Sequence, residues 1–162
     1  MVVCCCLCVF AALNPARSAA ATGEEVFTFY DQYIQIDASL FPGGNNSTFG
    51  LEVRMTPQPG WKLCASNASS IKPLRLKFSL PPCLKVKGTT HYSPPDLSGT
   101  DDSGSYSEYF TKTAFIRQEF SRLKCTPKSA DGVVTATYLL CQDNRCVGPF
   151  SREIRFKALD RK

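Results

Sequence analysis

The sequence predicts an all-β protein, an antiparallel β-sandwich, and three observations carry that reading. Short runs that alternate apolar and polar residues follow one another along the chain. Clusters of Gly, Pro, Asn, Asp and Ser separate these runs at short intervals. No amphipathic stretch of helical period persists. At 162 residues the chain has the size of one domain with a real core, so it does not need disulfides merely to fold.

Taken in order, Val26 to Tyr30, Tyr33 to Leu40 and Phe49 to Met55 are strand candidates, and Pro42, Gly43, Gly44, Asn45 and Asn46 form a loop between the last two. Leu74, Leu76, Phe78 and Leu80 alternate with Arg75, Lys77 and Ser79, the cleanest period-2 pattern in the chain. Gly88 to Gly104, rich in Ser, Pro, Gly, Thr and Asp, reads as one long loop. Lys112 to Phe120 is the next strand. Val134, Ala136, Tyr138 and Leu140 then alternate with Val133, Thr135, Thr137 and Leu139, a β-branched and aromatic run. After a polar turn, Phe150, Ile154 and Phe156 share one parity while Ser151, Glu153, Arg155 and Lys157 share the other. These two runs form a terminal hairpin and bring the set to about seven to nine strands, the count of a sandwich.

Residues 1–21 read as a secretory signal, with residues 22–162 as the mature domain. An apolar run from Val2 to Leu13 is followed by small residues, with cleavage expected near Ala20 or Ala21. The run is too short to span a bilayer, which takes about 20 apolar residues. Removing the signal takes away Cys4, Cys5, Cys6 and Cys8 and leaves Cys64, Cys83, Cys125, Cys141 and Cys146. An exported chain sits where disulfides persist, and an odd number of cysteines leaves at least one thiol free or bonded to another molecule. Loss of Arg17 leaves 18 basic against 14 acidic residues, a net charge of +4. The basic residues are scattered and form no aromatic-interleaved stripe, so a nucleic-acid partner is not expected.

Cys141 and Cys146 flank the polar turn of the terminal hairpin. Facing residues of an antiparallel pair have Cα atoms roughly 4.5 to 5.5 Å apart, within the roughly 4.4 to 6.8 Å that a disulfide requires. The pair can therefore be bonded or reduced with little backbone movement. A bridge closing so short a loop constrains the unfolded chain weakly. On spacing alone it is either a redox pair or an inert staple. Cys64 and Cys83 flank the strand around Leu74 to Leu80, and a structural bridge between them is the favoured pairing, with Cys125 as the odd thiol; the other two pairings stay open. His91 is the only histidine, too little for a Cys–His catalytic pair. Cys141 and Cys146 lack the C-x-x-C spacing of a zinc site, and neither a metal nor a small-molecule cofactor is expected. Asn45, Asn46 and Asn67 begin N-x-S/T sequons, relevant only in a eukaryotic secretory pathway. Trp61 reads as a core or sheet-edge aromatic.

Three separated stretches, in order, resemble the N-terminal immunoglobulin-like periplasmic domain of the thiol:disulfide interchange protein DsbD and its relatives, over about Tyr33 to Leu159. Pro59-Gly60-Trp61 resembles the family's Gly-Trp turn, and Leu74 to Pro81 the strand ending in Leu-Pro that follows it. Tyr92-Ser93-Pro94-Pro95 is similar to the aromatic-Pro-x-Pro segment beyond. Thr137 to Cys141 and Cys146 to Pro149 resemble the terminal hairpin, a Tyr-x-x-Cys strand answered by Cys-x-Pro-Pro.

The resemblance implies an immunoglobulin-like fold and a periplasmic or secreted thiol:disulfide carrier, in a family linked to cytochrome c biogenesis. It implies that Cys141 and Cys146 cycle between dithiol and disulfide, with Cys146 bonding to thioredoxin-fold partners and Cys141 resolving the adduct. It further implies a cap loop bearing Glu108, Tyr109 and Phe110. Because no membrane reductase module follows, the electron donor is expected to be a separate membrane thiol reductase or transporter. Three departures stand out. Gly148 replaces a common Pro and predicts a looser turn, Lys62 follows Trp61 in place of His, and Cys83 stands where a small residue is usual. The alternative is a non-catalytic immunoglobulin-like binding module with a structural hairpin disulfide.

Overall fold

The structure, a computed structural model, describes residues 23–65, 73–100, 106–123, 130–143 and 145–158. The expected signal segment, the sequon at Asn67 and Cys125 lie outside the described residues. Eleven strands are described: β1 (Glu24–Tyr30), β2 (Ile34–Pro42), β3 (Thr48–Pro57), β4 (Lys62–Cys64), β5 (Arg75–Ser79), β6 (Leu84–Tyr92), β7 (Leu97–Thr100), β8 (Tyr106–Phe110), β9 (Ala114–Arg122), β10 (Ala130–Gln142) and β11 (Arg145–Ala158). No helix occurs among the described residues.

Every strand pair is antiparallel. One sheet runs β1-β2-β3-β9-β6 and the other β11-β10-β4-β8-β7. β4 and β5 share the edge of β10 that faces away from β11. β4 pairs with the Cys141 end, at Leu140 and Cys141, and β5 pairs with Val133 to Thr137. The long β10 thus carries the second sheet, and its far end is where the hairpin cysteines lie.

Alternation places the core between the sheets. Ile34, Ile36, Val53, Met55 and Ile116 of the first sheet and Leu63, Val134, Ala136, Tyr138, Leu140 and Ile154 of the second are fully buried. Each such aliphatic side chain contributes about 1.5 to 3 kcal/mol on burial. Gln118 of β9 is also buried, with its amide satisfied: Thr90 Oγ1 donates to its Oε1 at 2.7 Å, and its Nε2 donates to the carbonyls of Lys87 and Glu119. This bracing holds the irregularity of β6 between Lys87 and His91.

The expected all-β antiparallel sandwich is what the chain adopts. The strand count is larger than expected because the stretch from Gly88 to Gly104 is not one loop. Residues 88–92 continue β6 and 97–100 form β7. β6 is mostly solvent-facing, with only Leu84 fully buried, so the polar run satisfies backbone hydrogen bonding without an apolar alternation to announce it.

Candidate functional site

The register of β10 against β11 sets Cys141 opposite Cys146 and Gln142 opposite Arg145, so the connection is a tight two-residue turn. Asp143 in that turn has φ +49, a left-handed conformation that Asp tolerates. Cys141 and Cys146 are joined by a disulfide with Cα atoms 4.0 Å apart. The two ends differ in environment: Cys141 is 2% exposed, whereas Cys146 faces solvent.

Between Tyr138 and Leu140 the register slips, because β11 inserts one extra residue at Gly148-Pro149. The Gly148–Pro149 peptide is cis. Gly148 has φ +115, and a Cβ there would stand 2.9 Å from the Phe150 nitrogen and 3.2 Å from the Tyr138 carbonyl oxygen. Gly148 therefore does not loosen the turn as expected. It fits a bulge that a side chain would crowd. Beyond the bulge, Phe150 packs on Tyr138 at 5.6 Å and stacks on Tyr33 at 5.9 Å, and Tyr33 meets the Trp61 ring edge-on at 4.9 Å. Trp61 is half-buried against the core. The preceding turn holds Gly60 at φ +86, and Trp61 N–H donates to the Gln58 carbonyl at 2.9 Å. The side-chain amide of Gln142 lies against Gly60, so this turn abuts the hairpin tip.

Cys64 is not bridged to Cys83. It is a free, buried thiol at the end of β4, and its Sγ lies 3.1 Å from Cys141 Sγ. A disulfide sulfur carries no hydrogen, so the Cys64 thiol is the donor in that contact. The reason lies in topology. β4 is in the second sheet beside β10, where Cys64 lies diagonally across from Cys141, whereas Cys83 precedes β6 in the first sheet. Cys83 is itself disulfide-bonded. Burial pushes the Cys64 thiol up to about 11, so it is protonated at neutral pH.

Glu108, Tyr109 and Phe110 belong to β8 and not to a loop. Phe110 pairs with Leu63 and is buried in the core. Tyr109 pairs with Cys64 and shares its outward face, with Lys62 Nζ 5.8 Å from the ring centre. The Glu108 carbonyl accepts the Ala65 N–H at 2.9 Å, while its Oε2 is buried without a hydrogen-bond partner among the described residues. The strand brings one of the three, Tyr109, to the face that bears the sulfurs. The outward row from β11 across β10 and β4 to β8 is thus Cys146, Cys141, then Lys62 and Cys64, then Tyr109.

No protein-family model matches the sequence, and no curated protein is significantly similar to it. Among solved structures, the N-terminal periplasmic domain of ScsB from Proteus mirabilis matches with a TM-score of 0.56 at 14% identity, over 86% of this chain and 52% of that one. The chain shares the fold of that ScsB domain. It spans about half of the ScsB chain's length. The reduced DsbD N-terminal domain of Neisseria meningitidis is also similar, at 16% identity and TM-score 0.45, over 68% of this chain and 78% of that one. So is the complex of the DsbD and PilB N-terminal domains from the same organism, at 15% identity and TM-score 0.45, over 72% and 80%.

Within this ScsB-like fold, Cys64, Cys141 and Cys146 are the group of His, Cys, Asp or Glu among the described residues whose ligand atoms lie within 4.8 Å of one another. While Cys141 and Cys146 are bonded, only the Cys64 thiol is available, so the oxidised site lacks the donor set of a metal centre. What it can do is thiol–disulfide exchange. The role of Cys64 escaped sequence reasoning because the contact spans 77 positions and rests on a three-residue strand.

Proposed function

We propose that this chain is an exported thiol:disulfide interchange protein, working in the periplasm or an equivalent oxidising compartment, that passes reducing equivalents to thioredoxin-fold partners. The Cys146 thiolate of the reduced chain attacks a partner disulfide, forming a Cys146–partner bond and releasing one partner thiolate. Cys141 then attacks Cys146 Sγ, which releases the second partner thiolate and closes the Cys141–Cys146 disulfide. A membrane thiol reductase or transporter returns two electrons to the pair. No cofactor enters these steps.

One observation carries the reading: a bonded hairpin pair with its first sulfur enclosed and its second at the surface. Attack on a disulfide depends on which sulfur an incoming thiolate reaches, and here that is Cys146. The motifs of the terminal hairpin and the ScsB-like fold support the same assignment. The test uses reduced chain and oxidised thioredoxin, followed by acid quench and non-reducing electrophoresis. Cys141→Ser combined with Cys64→Ala is expected to accumulate a mixed disulfide, and Cys146→Ser to form none. Absence of the adduct in the first variant, or its presence in the second, overturns the proposal.

A further inference from the structure

The sandwich holds a third sulfur that a two-cysteine relay does not use. Cys64 is 4% exposed and Cys141 2%, and their sulfurs are 3.1 Å apart on adjacent strands. A buried thiol held against one end of a disulfide is an internal nucleophile whose encounter with its target costs no translational entropy. We propose that Cys64 exchanges with the hairpin disulfide, so that the oxidised chain exists as two isomers, one closed at Cys141–Cys146 and the other at Cys64–Cys141 with a free Cys146 thiol.

The step balances within the chain. Cys64 loses its proton and its thiolate attacks Cys141 Sγ. The new Cys64–Cys141 bond forms as the Cys141–Cys146 bond breaks, and Cys146 leaves as a thiolate that takes up a proton. Nothing is oxidised or reduced overall, so no outside reagent is needed. All three sulfurs fit within 4.8 Å, so the array is bent, and in-line attack requires a side-chain rotation of Cys64. The direction of displacement follows from position: Cys64 touches Cys141, and the group expelled is the one already at the surface. The product buries its disulfide between β4 and β10 and presents a nucleophilic thiol without having been reduced.

Ionisation favours this isomer as pH rises. It replaces a thiol whose pKa burial raises to about 11 with one at the surface, where water solvates the thiolate. The titratable and charged groups on the face of the sulfurs are Lys62 on β4 and Tyr109 on β8; Asp143 and Arg145 stand at the hairpin tip beside them in sequence, and alternation turns Arg145 and Glu108 to the opposite face. The share of the Cys64–Cys141 isomer is therefore expected to rise with pH, by at most about tenfold per unit.

The test is a linkage map of the unreduced full chain, alkylated under native conditions with N-ethylmaleimide at pH 6, 7.5 and 9, quenched in acid, digested and read by mass spectrometry. The expected result is alkylated Cys146 together with a Cys64–Cys141 linked peptide, both increasing with pH. Finding Cys141–Cys146 as the sole linkage of these three cysteines at pH 9 overturns the proposal. Cys64→Ala is expected to abolish Cys146 alkylation in the unreduced chain; persistence of that labelling also overturns it. If that variant fails to fold, the wild-type map still decides. The map reads bonds within the chain and needs no partner, so it is independent of the relay.

Discussion

Cys64 and Cys141 lie diagonally across two neighbouring strands, and the Cys64 thiol donates to Cys141 Sγ at 3.1 Å. This contact fixes the environment of the hairpin disulfide from its buried side. It also gives Cys64 a packing role separable from its chemistry. Cys64→Ala deletes one buried sulfur and is expected to cost about 1 kcal/mol, which lowers Tm by about 2 to 4 °C for a chain of this size. Cys64→Ser places a hydroxyl in a site built for sulfur and is expected to cost more, about 1 to 3 kcal/mol. Thermal melts of both variants check the order. Equal stability of wild type and the Ser variant would contradict the burial.

The hairpin disulfide closes a loop too short to be of much use as a staple. Chain entropy assigns such a closure about 2 kcal/mol. Selective reduction is therefore expected to leave the sandwich folded, with Tm lowered by about 4 to 8 °C. Equilibration of the pair against dithiothreitol or glutathione buffers is expected to give a potential between about −270 and −120 mV, the range of exchanging dithiols. A potential well below about −300 mV would identify an inert bridge and favour the binding-module alternative.

The parts of the fold legible in the sequence are those where one strand face is buried and the other is not. β2, β9, β10 and β11 each show alternation because their inward residues, such as Ile34 and Ile36 or Val134 and Ala136, enter the core, and β3 shows it in Phe49, Leu51, Val53 and Met55 although much of its other face is buried too. The cysteine pairing across the hairpin was legible for a related reason, since a local turn sets its register. β7 and the far end of β6 escaped notice because their polar residues carry backbone pairing without a buried stripe. That Glu108, Tyr109 and Phe110 lie in a strand follows from the pairing of β8 with β4 and β7, which their local pattern does not record. The nearness of Cys64 to Cys141 depends on that same docking of β4 between β8 and β10, a tertiary choice that no local pattern records.

Gly148 offers a direct test of the bulge beside Cys146. Its φ of +115 disfavours any L side chain, and the Cβ of an alanine would press on the Phe150 nitrogen and the Tyr138 carbonyl. Gly148→Ala is expected to destabilise the fold by about 1 to 3 kcal/mol. Moving Pro149 and Phe150 also disturbs the aromatic contacts of Tyr138 and Tyr33. Urea unfolding with intrinsic fluorescence measures the loss, and an unchanged midpoint would show that the bulge is not as described.

Asp96, at the entrance to β7, supplies a pH dependence remote from the sulfurs. Its Oδ1 accepts the Thr111 N–H at 2.7 Å and the Thr111 hydroxyl at 3.0 Å, and its Oδ2 accepts the Lys112 N–H at 3.0 Å. Desolvation raises its pKa, but these bonds and the Lys112 charge together outweigh it, leaving the carboxyl below its ordinary value. A carboxyl lowered by folding stabilises the native state fully above its unfolded pKa of about 3.9, and that contribution is lost as pH falls through the folded value. Asp96→Asn removes the charge and one acceptor, so its Tm deficit relative to wild type is expected to be present at pH 6 and to shrink below pH 4. Melts at pH 6, 4 and 3 check this. A deficit constant across the three would show that the carboxylate charge does not hold the turn between β8 and β9.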